Sequence, residues 1–126
     1  MTRALYFALV CALLGSALAA TTKKPIPACG KCLPRNVALI AASGPGTVKP
    51  TVKILANTAA GCRRMNVICT TPAGGTISSM EFNRSLGGPY EAKTVTALVT
   101  CGADQKWRFS KNGAVILVNS VGCMYV

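Results

Sequence analysis

The residues best suited to chemistry are cysteines: Cys29, Cys32, Cys62, Cys69, Cys101 and Cys123, with a seventh, Cys11, near the start of the chain. Cys29-Gly30-Lys31-Cys32 has the spacing of a dithiol redox motif, which exchanges disulfides through a low-pKa thiolate when a strand leads into it and a helix follows. Here Pro25, Pro27 and Pro34 surround the motif and no βαβ pattern follows, so the spacing reads as part of a structural frame. Zinc is a poor fit, because the chain has no histidine and no second C-x-x-C completes four ligands. The lack of histidine also removes Ser-His-Asp and Cys-His mechanisms. Three carboxylates remain: Glu81, Glu91 and Asp104. Glu81 and Glu91 could in principle form a glycosidase pair, but among fourteen lysines and arginines they read as surface countercharges. Gly44-Pro45-Gly46 and Gly87-Gly88-Pro89 read as turns rather than phosphate cradles, since proline removes a donor amide. This inventory predicts no enzyme: no catalytic residues, no cofactor and no metal. Asn83-Arg84-Ser85 is an N-glycosylation acceptor.

The first stretch explains the odd cysteine. Arg3 supplies a short positive region, Ala4 to Leu14 an apolar run, and Ala17-Leu18-Ala19 a small-x-small cleavage signal. The run is short for a membrane span and reads as a secretory signal covering residues 1–19. Its removal takes Cys11 away and leaves six cysteines, the even number expected of three disulfides in a secreted chain. It also takes Arg3, leaving thirteen Lys and Arg against three carboxylates, a net charge of +10. Such a charge favours acidic partners such as anionic glycans or microbial membranes. Yet only Lys23-Lys24 and Arg63-Arg64 are adjacent, and no basic run marks a nucleic-acid site. The expected localisation is extracellular.

The elements that must hold the cysteines are short strands. Residues 20–28 form a tail containing Pro25, Pro27, Lys23 and Lys24, and residues 29–126 the domain. Val37 to Ala42 is an apolar run. Thr47 to Leu55 alternates, with Pro50 inside it marking an edge or a bulge. Arg64 to Thr70, Thr76 to Phe82 and Ala92 to Cys101 are further strands, and Asn83 to Pro89 reads as a loop. Lys106 to Ser110 points Trp107 and Phe109 inward, and Asn112-Gly113 is the favoured pair for a type I′ turn. That turn sets Lys111 opposite Ala114, Phe109 opposite Ile116 and Trp107 opposite Val118, which makes Trp107 a core aromatic. About seven short strands predict an all-β antiparallel sandwich, immunoglobulin-like in form, with three disulfides.

Six cysteines allow fifteen connectivities. If Gly102 to Gln105 were a four-residue hairpin loop, Cys101 and Cys123 would lie on strands flanking the Trp107 strand. They would then stand roughly 9–10 Å apart, beyond the reach of a disulfide at about 7 Å. A flat three-stranded meander therefore cannot pair them: either the Cys101 strand joins the other sheet, or each cysteine has another partner.

The pattern Cys29-x-x-Cys32, Gly61-Cys62-Arg63-Arg64-Met65-Asn66-Val67-Ile68-Cys69, Phe82-Asn83, Gly87-Gly88-Pro89, Ala97-Leu98-Val99-Thr100-Cys101, Trp107 and Val121-Gly122-Cys123 resembles the nematode C6 domain, a secreted six-cysteine module. Lys106 departs from it, standing where a small or polar residue is expected. The resemblance spans nearly all of the chain after the leader. It implies a disulfide-bonded extracellular module and brings no activity with it. The reading is of a non-catalytic binding or structural component with an unidentified extracellular protein or glycan as partner, or else a cationic effector acting on anionic glycans or microbial membranes. Intact mass of the secreted protein should correspond to a chain beginning at Ala20; retention of residues 1–19 would refute the leader.

Overall fold

The computed structural model describes residues 24–84 and 86–126, so the leader assigned to residues 1–19 and the start of the tail lie outside the described residues. Ten strands follow in chain order: β1 Ala38–Leu39, β2 Thr47–Val48, β3 Thr51–Ile54, β4 Arg64–Thr70, β5 Ser78–Phe82, β6 Leu86–Ala92, β7 Thr94–Cys101, β8 Trp107–Lys111, β9 Ala114–Leu117 and β10 Ser120–Tyr125. They form two sheets that pack face to face as a sandwich. One has the order β1-β10-β5-β6, with β2 also on β10; the other is β3-β4-β7-β8-β9. All pairs are antiparallel except β1 with β10.

The alternation within each strand decides which residues meet in the middle. Met65, Val67 and Cys69 of β4 point inward with Val95, Ala97, Val99 and Cys101 of β7, all buried. Met80 and Phe82 of β5 and Val121 and Cys123 of β10 face them from the other sheet. The Phe82 and Phe109 rings meet across the sandwich at 5.0 Å between centroids, tilted by 41°, a favourable aromatic geometry.

The hairpin at Asn112-Gly113 forms as expected. Both residues have positive φ, 52° and 84°, and the register pairs Lys111 with Ala114 and Phe109 with Ile116. The Val118 amide donates to the Trp107 carbonyl at 2.9 Å, extending it by one step. Trp107 is 2% exposed, and its indole N–H donates to the Leu33 carbonyl at 2.9 Å. That bond satisfies the one polar atom the ring buries.

Two expectations need correction, and the loop supposed after Cys101 also differs. The single strand expected over Thr47 to Leu55 is two strands in different sheets: β2 pairs with β10, while β3 pairs with β4. Pro50, itself fully buried, sits at the crossing. It has no N–H for either ladder, so the chain changes sheet there. The loop expected over Asn83 to Pro89 is only a tight turn. Leu86 already begins β6, an edge strand, where a proline such as Pro89 is tolerated. The loop after Cys101 has three residues rather than four. Gly102 and Lys106 are bonded across it at 2.9 Å, and Gln105 takes φ 63°. This register sets Cys101 opposite Trp107 on the inner face.

Replacing Trp107 by Ala should lower stability by about 3–5 kcal/mol in denaturant unfolding, the usual cost of a lost core aromatic. A near-neutral result would place the ring outside the core.

Candidate functional site

All six predicted cysteines are brought together in pairs: Cys29–Cys62, Cys32–Cys101 and Cys69–Cys123, with Cα separations of 4.6, 5.8 and 5.6 Å. Cys101 and Cys123 each have another partner, and they also lie in different sheets. The first two bridges fasten the segment before β1 to the loop leading into β4 and to β7. The C-x-x-C pair does not close on itself, and each of its sulfurs is held by a distant cysteine. Arg63 adds a hydrogen bond from its guanidinium to the Cys32 carbonyl at 2.7 Å. The third bridge crosses the sandwich.

Asn83 is half-buried and tightly engaged. It turns β5 into β6 with φ 55°, followed by Arg84 at 64°, the left-handed region that Asn tolerates better than most residues. Its side-chain oxygen accepts from the amides of Asn119 (2.7 Å) and Ser120 (3.2 Å), and its side-chain nitrogen donates to the Leu117 carbonyl at 2.7 Å. Leu117 to Ser120 is where the chain leaves β9 for β10 and changes sheet. The amide that a glycan would occupy therefore clamps a crossover. Ser85 of the same motif lies outside the described residues. The sequence signal for this second role was faint: an Asn at a turn before a Gly-rich stretch.

The three carboxylates do not form one site. Glu81 and Glu91 lie on the outer face of the first sheet, where they line two different shallow depressions. Asp104 forms a two-pronged ion pair with Arg108 at 2.5 and 2.7 Å. The hydrogen bond from the Arg108 guanidinium holds its carboxyl at about 2, below the ordinary 3.8, so the pair stays charged through mildly acidic pH. Among the described residues, no group of three or more His, Cys, Asp or Glu could hold a metal ion, and no helix is long and apolar enough to cross a membrane.

One surface feature was not foreseen. β7 pairs with β4 along its whole length, but with β8 only at Thr100–Arg108 and Cys101–Trp107. Beyond that point β8 turns away with β9, and a cleft of about 490 Å³ opens between β7 and β8. Leu98 and Val115 stand at its rim, 42% and 59% exposed, and Phe109 lies at its floor. The registers place Lys53, Asn66 and Leu98 in one row, and Arg64, Thr100, Arg108 and Leu117 in the next. The outer face around the cleft thus mixes apolar, amide and hydroxyl side chains with interspersed cations.

No family model matches the chain, and no solved structure matches it. A protein of Caenorhabditis elegans described only as uncharacterised is 36% identical over 87 residues, which is 66% of this chain and 33% of that protein. The chain thus spans about a third of that relative's length.

Asn83→Ala should destabilise the fold by about 1–3 kcal/mol by leaving the crossover amides without their acceptor. Asn83→Asp keeps the acceptor oxygens and should cost less. Equal and negligible effects in thermal unfolding would remove the clamp.

Proposed function

We propose that this chain is a secreted, disulfide-stapled extracellular module of the nematode C6 type, non-catalytic, which binds an extracellular protein or glycan or serves as a structural component there. The observation that carries this reading is the pairing of all six cysteines outside the leader, which leaves no thiol for nucleophilic work. Structural disulfides of this density belong to oxidising compartments. The bridges close loops with sequence separations of 33, 69 and 54 residues. Each is worth on the order of 4 kcal/mol in the chain-entropy model, less in combination because the loops overlap. Such a frame suits a small core that must persist outside the cell. In this reading residues 1–19 are the leader, 20–28 a tail, and 29–126 the module.

A second reading is favoured by the charge of +10 after leader removal: a cationic effector that binds anionic glycans or microbial membranes. The cations on the outer face of the second sheet, Lys53, Arg64 and Arg108, are spaced along strands rather than gathered in a run. Favourable contact with a polyanion would be spread over that face.

The secreted protein should take up no thiol reagent before reduction and should label at all six cysteines after it. Label on the unreduced protein would refute the three-bridge module. On heparin, the module reading predicts elution near physiological salt, whereas late elution would favour the polyanion-binding reading.

A further inference from the structure

The cleft between β7 and β8 is an interrupted ladder, and its backbone chemistry specifies what fits it. Cys101 donates its amide to the Arg63 carbonyl, and Lys93 accepts from the Thr71 amide. The odd-numbered residues of β7 therefore bond to β4, and the even-numbered ones point their N–H and C=O groups the other way. Thr100 uses them on Arg108. Next along β7 come Leu98, Thr96 and Thr94, for which no described strand supplies a partner on that side. Across the cleft, the Val118 amide donates to the Trp107 carbonyl, so the odd-numbered residues of β8 bond to β9 and Ser110 presents its backbone groups to the same gap. A strand edge with unpaired donors and acceptors is a template for another extended chain.

We propose that this cleft is a docking site for an extended acidic peptide segment of a partner protein, which adds a strand alongside β7. The proposal rests on the binding-module reading and names its site and ligand class. Backbone bonds to Leu98 and Thr96 supply the attachment, and alternate side chains are sorted by face. One set meets the apolar floor at Phe109. The other meets the outer face, where Arg108, ion-paired with Asp104, lines the cleft with Leu98 and Val115, and Arg64 and Lys53 stand one and two strands behind β7. Charge selects the partner. After leader removal a second copy would bring the same thirteen Lys and Arg against three carboxylates, and one of those carboxylates, Asp104, is already held by Arg108. Like charges facing one another oppose pairing, whereas glutamates on an incoming strand favour it.

The test uses the full oxidised protein and a short peptide alternating Val and Glu, followed by amide chemical shifts. Addition should shift Thr96, Leu98 and Ser110, leaving the β4-bonded amides of Ala97 and Val99 much less affected. A peptide N-methylated at alternate residues, unable to donate to β7, should not bind. Leu98→Glu, at an exposed position that leaves the backbone intact, should weaken binding by about tenfold or more through repulsion of the acidic strand. Leu98→Pro removes an amide that β4 does not use and should do the same. Equal binding by the N-methylated peptide, shifts confined elsewhere, or no binding at millimolar peptide would each overturn the proposal. A concentration-dependent dimer abolished by Leu98→Glu would overturn it in favour of a second copy. None of these outcomes touches the extracellular-module reading, which free thiols would overturn independently.

Discussion

The Cys69–Cys123 disulfide joins the inner face of β4 to the inner face of β10, and the core is arranged about that crossing. Both cysteines are buried, with Met65, Val67, Met80 and Val121 around them. The bridge fixes the separation of the two inner faces covalently, in addition to the packing between them. The other two bridges perform a different task. They bring the proline-containing segment before β1 under Trp107, whose indole bonds to Leu33 one residue after Cys32. That segment has no ladder of its own, so its order derives from the disulfides, this bond and two hydrogen bonds from Arg63, its amide to the Cys29 carbonyl and its guanidinium to the Cys32 carbonyl.

The parts of the fold legible in the sequence were those set by local chemistry. Asn112-Gly113 demanded a type I′ turn, and the register it implied holds at Lys111 and Phe109. Strict alternation announced β4 and β7, whose inward residues are the buried ones. What stayed hidden was long-range. Pro50 marked a break, but not that the chain changes sheet there. Gly87-Gly88-Pro89 looked like a turn because its residues favour turns, yet they lie within an edge strand that tolerates them. The cysteine pairing was open for the same reason: distance along the chain says little about which inner faces meet. The strand-spacing argument supposed Cys101 and Cys123 on strands flanking the Trp107 strand, whereas Cys123 lies in β10 of the other sheet and each cysteine has another partner.

The candidate site was the least legible part, because it arises from an interaction that is missing. Nothing in Thr94 to Thr100 distinguishes a strand paired on both sides from one paired on one. The divergence begins where β8 follows its own hairpin instead of continuing along β7. Asn83 holds the far end of that hairpin by clamping the β9–β10 crossover. A sequence motif for modification and a fold-determining amide thus occupy one residue.

The one-sided pairing of β7 can be measured directly by amide hydrogen exchange of the free protein. Along this strand, Val95, Ala97 and Val99 should be strongly protected by their bonds to β4, while Thr96 and Leu98 exchange far faster. The predicted signature is an alternation of slow and fast amides within one continuous strand. Uniform protection from Thr94 to Thr100 would mean that the edge is already closed and would contradict the account.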